Sequence, residues 1–134
     1  MLQEIELHAR RGENFGFETT LSGRNCLDLI RQLRQQGYEV HLFLLWLPTI
    51  DVALSRIKDR VLKGGHHVPE SVVRRRFDRS LHNFLLRYRS LASTWLLFDN
   101  SGTTPEAIAI QDQSGLRIIN GRLFNLLMAR YGAP

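Results

Sequence analysis

The feature that most constrains the fold is a run of ten residues, 38–47, that reads YEVHLFLLWL. Continuous apolar character over this length is typical of a strand that is buried on both faces, as the central strands of parallel sheets are. The run therefore predicts a central parallel strand, in which His41 is a core histidine with a satisfied ring. Since parallel strands are joined by long crossovers, helices should flank this strand in the sequence.

Helical spacing is present on both sides of the strand. Upstream, apolar residues recur every three or four positions between Ser22, a potential helix cap, and Gly37. Downstream, Thr49 can cap a helix predicted over residues 50–63, and a second helix starts at Pro69. The apolar stripe of that second helix consists of Val73, Phe77, Leu81, Phe84 and Tyr88.

Shorter elements complete the prediction. They are a helix over 2–11, a strand over 15–20, a strand over 94–98, a hairpin of 107–111 with 116–119, and a last helix over 122–131. Strands that alternate with helices indicate an α/β fold with a mostly parallel sheet and a C-terminal hairpin. The length of 134 residues predicts one domain, 1–134.

Composition bounds the partners and the compartment. Lysine and arginine number 18 against 13 acidic residues, and the resulting net charge of +5 suits nucleic acid, a nucleotide or a phosphorylated substrate. The one cysteine, Cys26, excludes an intrachain disulfide and is expected to be a small core residue in a reducing cytoplasm. The longest apolar run, 42–47, is far below the roughly 20 residues of a membrane helix, so no membrane partner is expected.

Two glycines, Gly64 and Gly65, separate two basic helical segments. Five arginines stand around this bend: Arg60, Arg74, Arg75, Arg76 and Arg79. A hinge beside cations is suited to closing over an anion, although a helix-turn-helix corner with a solvated basic face has the same composition. Arg75 and Arg79 share one helix face, whereas Arg76 shares the face of Val72, so not all five arginines can face one ligand.

A polar cluster lies between the predicted 15–20 strand and the following helix. Glu18, Thr20 and Arg24 belong to it, at a position where a sheet edge can contact a substrate hydroxyl, and a helix-capping cluster would look the same. His66 and His67 have no further ligand at a useful spacing, so no metal site is predicted. Neither GxxxxGK[ST] nor GxGxxG occurs in these 134 residues.

Four segments together resemble the zeta-toxin-like branch of the P-loop kinases over about residues 1–110. They are FGFETTLSGR (15–24), GYEVHLFLLWLP (37–48), RVLKGGHHVPESVVRRRFDRSLHNF (60–84) and FDNSG (98–102). The resemblance implies a three-layer, nucleoside-monophosphate-kinase-like fold and transfer of a phosphoryl group from ATP to a hydroxyl. In the zeta toxins the acceptor is a UDP-linked amino sugar.

The same resemblance implies roles for residues of this chain. The segment 56–90 would be a lid that is hinged at the two glycines. The candidate substrate-binding residues are Glu18, Thr20 and Arg24. The candidate catalytic residues are Arg60, Arg75 and Arg76, and the candidates for ATP binding are Arg60, Arg76 and Arg79.

The sequence departs from the family pattern at its start. Family members begin with a strand, a Walker A loop and a helix, followed by an Asn-Ala-Asp segment with the presumed catalytic base, and none of these is found here. We therefore expect an incomplete, N-terminally truncated kinase domain that is inactive alone and binds neither ATP nor Mg²⁺ tightly. The missing first strand would normally be central, so its neighbours would expose edges.

Two other functions remain open at this point. A basic nucleic-acid-binding module is disfavoured, because Phe77 and Phe84 fall on the apolar stripe instead of between exposed arginines. An interaction domain would bind an antitoxin-like protein through an exposed sheet edge.

Overall fold

The computed structural model describes residues 2–133, which form five α-helices and a four-stranded sheet. In chain order the elements are α1 (Leu2–Arg10), α2 (Asn25–Gln35), β1 (His41–Trp46), α3 (Ile50–Leu62), α4 (Glu70–Asn83), β2 (Thr94–Asp99), β3 (Glu106–Asp112), β4 (Gly115–Ile118) and α5 (Gly121–Tyr131). A π-helical segment, Phe84–Tyr88, continues α4 without a break and is called the π-turn below.

The sheet has the strand order β1-β2-β3-β4. Strand β1 runs parallel to β2, with His41 opposite Thr94 and Trp46 opposite Asp99, and helices α3 and α4 form the crossover between them. The other two pairings are antiparallel, so the prediction of a mostly parallel sheet is wrong for the described chain. The reason is that short links join β2 to β3 and β3 to β4, and short links permit only antiparallel neighbours. The predicted C-terminal hairpin is confirmed.

Strand β1 lies at the edge of the sheet, and the prediction of a central strand buried on both faces is wrong. Its side chains alternate between half-buried and exposed: Phe43 is 67% exposed and Leu45 is 53% exposed. His41 is also exposed and is not a core residue; its Nδ1 lies 2.6 Å from Thr94 Oγ1. Among residues 2–133, β1 has a paired strand on one side only, and a single neighbour leaves one edge open.

The strand predicted over residues 15–20 is also wrong, since this segment forms no ladder with another described strand. Its aromatic residues pack on neighbouring helix and loop side chains instead. The Phe15 ring stacks on His8, with centroids 5.7 Å apart, and meets Tyr38 edge-on at 5.8 Å. Aromatic residues suit a half-buried surface of any kind, and only a paired neighbour makes such a segment a strand.

The helical predictions hold better than the strand predictions. Helix α2 buries its apolar face as predicted, and Thr49 caps α3 by accepting a hydrogen bond from Val52 N at 3.3 Å. The predicted Ser22 cap is wrong, because α2 begins three residues later at Asn25 and Ser22 Oγ contacts Thr20 Oγ1 at 2.8 Å. The predicted stripe of α4 is confirmed, with Phe77 half-buried and its other four members buried.

The core lies between the sheet and helices α2, α4 and α5. Its largest fully buried side chains are Phe84, Tyr88, Leu97, Ile108 and Leu127. Phe84 meets Trp95 edge-on with ring centroids 5.4 Å apart, which joins the π-turn to β2. Cys26 is half-buried at the margin of this core. Within residues 2–133, no helix combines the length and apolarity that crossing a bilayer requires.

Candidate functional site

A cavity of about 1250 Å³ runs along strand β1. All seven consecutive residues 41–47 line it. Because side chains on a strand alternate between faces, a cavity on one face would touch only every second residue. The cavity therefore lies along the open edge of β1, and the segment 17–21 and helix α4 also contribute to its lining.

The cavity brings together polar side chains from distant parts of the sequence. Glu18 and Thr20 line it from one segment, and Arg60 and Arg76 line it from the end of α3 and from α4. The nearby wall is largely aromatic and aliphatic, and includes Phe77. The arrangement sets two cations and one carboxylate beside an apolar surface, which suits a ligand with an anionic part and an apolar part.

Arg60 and Arg76 are available for a ligand. Within residues 2–133, neither has a carboxylate oxygen within ion-pair distance. Arg74, by contrast, is held by Glu70, whose Oε1 accepts from Arg74 Nη2 at 2.6 Å. An unpaired guanidinium beside a cavity is a fitting donor for phosphate or carboxylate oxygens.

The other three candidate arginines do not line the cavity. Arg24, Arg75 and Arg79 are exposed and lie outside its lining. Arg75 is adjacent to Arg76, and one helical residue corresponds to a rotation of about 100°, which turns the two side chains to different faces. The proposed roles of these three residues remain predictions.

The Gly64-Gly65 bend is a compact helix ending. Gly64 has a φ of +93°, and Gly65 N donates to Arg60 O at 2.7 Å, as in a Schellman motif. A Cβ on Gly65 would lie 2.8 Å from Arg60 O. Glycine is thus required at the two positions for different reasons. Gly64 needs it for the dihedral angle, and Gly65 needs it because its backbone approaches α3 closely.

The Glu18–Arg24 loop is attached to the C-terminal half of α4 and to the π-turn. Leu21 has a φ of +54°, and its carbonyl accepts a hydrogen bond from Asn83 Nδ2 at 2.7 Å. The hydroxyl of Tyr88 donates to Gly23 O at 2.9 Å. Sequence reasoning missed Asn83. The available signal was a short amide side chain between the apolar positions of a helix, where such a residue needs a partner.

Tyr131 is a second residue that the sequence did not indicate. It lines the cavity, and its hydroxyl donates to Asp78 Oδ1 at 2.9 Å. Burial, and then the hydrogen bond and charge of the Asp78 carboxylate, raise the pKa of Tyr131. The residue occupies the last turn of α5, so its apolar spacing signalled only a core position.

A metal ion would find few ligands in this chain. Within the described part, no group of three histidine, cysteine, aspartate or glutamate side chains is close enough to hold one. Glu18 is the acidic residue of the cavity lining, so a divalent cation there would depend on ligand oxygens and water.

Comparison with known proteins gives the family. The model of the family described as zeta toxin matches residues 1–120. The chain belongs to the zeta toxin family. This confirms the resemblance seen in the sequence, and the match includes both the Glu18–Arg24 loop and the bend at Gly64-Gly65. Helix α5, which contributes Tyr131 to the cavity, lies outside the matched range.

One relative of this zeta toxin family member is a protein of Haemophilus influenzae whose description is "Uncharacterized protein". The two chains are 35% identical over 63 residues, which is 47% of this chain and 45% of the relative. The matched segment thus spans about half the length of the relative. No solved structure matches the chain.

Proposed function

We propose that this chain serves ATP-dependent phosphoryl transfer to a hydroxyl of a small molecule, with a UDP-linked amino sugar as the acceptor class. The observation that carries the proposal is that Glu18 and Thr20 share one cavity with Arg60 and Arg76. Phosphoryl transfer depends mostly on positioning and on stabilisation of phosphate charge. In the proposed arrangement the two arginines bind phosphate oxygens, and the loop residues hydrogen-bond the acceptor.

Membership of the zeta toxin family supports the kinase-like assignment. The 134 residues contain no Walker A loop, whose amides and lysine hold the β- and γ-phosphates in P-loop enzymes. We therefore propose that the chain alone contributes the lid and the acceptor loop without turning ATP over. Calorimetric titration should detect no micromolar ATP binding, and a clear micromolar isotherm would contradict this part of the proposal.

Arg75 and Arg76 provide a matched test of the phosphate-binding part. We predict that ATP binds weakly, in the millimolar range, and that Arg76→Ala weakens this binding about tenfold or more, since a charged hydrogen bond contributes about 1.5–3 kcal/mol. Arg75→Ala makes the same change in net charge one position away and should leave the binding constant within about twofold. NMR titration with ATP measures both. An equal loss in the two variants would mean unspecific attraction to the basic helix and would overturn the assignment.

The open edge of β1 favours a second function, the binding of a protein partner of the antitoxin kind. Phe43 and Leu45 are exposed there, and unpaired backbone groups on an edge strand can accept a strand of another chain. Nucleic acid has less support. Phe84 is fully buried and Phe77 half-buried, so neither ring stands among the exposed arginines as base stacking requires.

A further inference from the structure

Helix α4 and the π-turn form one continuous rod that contacts both polar sides of the cavity. Arg76, in the first half of this rod, lines the cavity directly. Asn83 and Tyr88, in the second half, hold the loop that carries Glu18. The rod therefore connects the group proposed for phosphate with the groups proposed for the acceptor.

The contact of Asn83 is made in a buried setting. Asn83 is 8% exposed, and Leu21, whose carbonyl accepts its hydrogen bond, is 6% exposed. Leu21 is also the one non-glycine residue with positive φ among residues 2–133. Such a conformation is strained for a branched side chain and persists only where the surroundings enforce it. The hydrogen bond from the buried amide of Asn83 is one such constraint, and a second is local, since Leu21 N donates to Thr19 Oγ1 at 3.3 Å.

The contact of Tyr88 fixes the far end of the same loop. Tyr88 is fully buried, and its hydroxyl reaches Gly23 O at 2.9 Å. The π-turn, in which Arg89 N donates to Phe84 O, is followed by β2 after a five-residue link, 89–93. π-helical turns interrupt the regular ladder at some cost and are frequent near functional sites. Here the turn places a buried phenol against a loop 65 residues away in the sequence.

We propose that Asn83 and Tyr88 are positioning residues that fasten the Glu18–Arg24 loop to α4, so that the loop and Arg76 move as one body. The proposal rests on the proposed function for what the loop and Arg76 bind. The fastening itself is a property of the unliganded chain. It assigns these two buried residues to the geometry of the site as well as to the core.

Hydrogen exchange of the unliganded chain tests the fastening. Tyr88→Phe removes the hydroxyl and should speed exchange of the amides of residues 21–23 at least about tenfold, while the amides of α4 keep their wild-type rates. Tyr38→Phe is the matched control, since the Tyr38 hydroxyl also donates to backbone carbonyls, those of Ala9 in α1 and of Glu13, which lie outside the Glu18–Arg24 loop. Unchanged rates at residues 21–23 in Tyr88→Phe, or equal changes in the control, would overturn the proposal.

Asn83→Asp adds a second test, in which the protection of the loop amides should depend on pH. A carboxylate cannot donate to Leu21 O, but a protonated carboxyl can. Protection of residues 21–23 in this variant should therefore be lost at pH 7.5 and recover by pH 4.5, relative to the wild type at each pH. Protection that is the same at both pH values would exclude Asn83 as the donor that holds the loop.

An exchange experiment with a bound ligand distinguishes failure of the proposed function from failure of the proposed fastening. UDP-N-acetylglucosamine should slow exchange both in the Glu18–Arg24 loop and around Arg76 in the wild type, and in Tyr88→Phe only in the loop. If the wild type shows no effect of this compound, the proposed acceptor class fails, and the exchange rates of the unliganded variants still decide on the fastening. If both segments remain coupled in Tyr88→Phe, the fastening is overturned even though binding occurs.

Discussion

At the residue scale, three identical arginine side chains lie in different surroundings, which the residue type by itself does not predict. Arg74, Arg75 and Arg76 are consecutive, yet the first is paired with Glu70, the second is exposed away from the cavity, and the third lines it. Helical geometry explains the difference, since each step of one residue turns the side chain by about 100°. The sequence predicts that the three side chains diverge, and only the tertiary structure decided that Arg76 lines the cavity.

Tyr131 gives a prediction at this scale. Its pKa is raised above the ordinary 10.0 by burial and by Asp78. The folded chain therefore holds a proton that the unfolded chain releases near pH 10, and the free energy of unfolding should fall as pH rises from about 10 toward the raised pKa. Below pH 9 both states are protonated and this effect is absent.

Tyr131→Phe removes that titration. We expect the wild type to exceed the variant in free energy of unfolding by about 1 kcal/mol at pH 8, from the hydrogen bond to Asp78, and by less at pH 10.5. Urea unfolding at the two pH values measures the difference. Tyr88 titrates in both proteins, so its contribution cancels. A difference that stays constant or grows with pH would show that the pKa of Tyr131 is not raised in the folded chain.

At the element scale, the helices follow from local rules more closely than the strands. The Thr49 cap and the apolar stripe of α4 depend on residues close together in the sequence, and both were predicted. The Gly64-Gly65 bend was predicted as a lid hinge, and that role stays a prediction. Strands need a partner strand, which can come from any part of the chain. Within residues 2–133 the segment 15–20 has residues typical of a strand but no partner strand, and β1 has the composition of an interior strand but lies at the edge of the sheet.

The Gly64-Gly65 bend gives the prediction for this scale. Gly64→Ala should destabilise the fold by about 1–2 kcal/mol, because its φ of +93° is unfavourable for a residue with a Cβ although the space around it is open. Gly16→Ala, also in open space but without positive φ, should change stability by less than about 0.5 kcal/mol. Guanidinium unfolding compares the two. Equal effects would mean that the left-handed turn is not required to end α3.

At the scale of the whole molecule, the open edge of β1 is the main departure from a closed fold. The strand pairs on one side, its second edge borders the cavity, and Phe43 and Leu45 remain exposed beside it. Apolar edge strands promote association with further strands. We therefore expect the chain to self-associate at high concentration through this edge.

Phe43→Lys tests this expectation, because a lysine on an edge strand opposes strand pairing. Since Phe43 is 67% exposed, the substitution should alter the free energy of unfolding by less than about 0.5 kcal/mol while lowering the associated fraction. Leu62→Lys is the control, since Leu62 is 79% exposed but lies on α3. Light scattering during exclusion chromatography measures the mass. If both variants dissociate equally, added charge is the cause and the edge is not.

The sequence by itself determined the family, the positions of the helices, the buried faces of α2 and α4, and the C-terminal hairpin. These depend on periodicity, capping and short links, which are properties of neighbouring residues. Tertiary structure decided that β1 is an edge strand, that Arg76 rather than Arg75 lines the cavity, and that Asn83 holds Leu21. Each of these depends on which distant segment lies alongside. Periodicity specifies the residues that share a face, but not what that face meets.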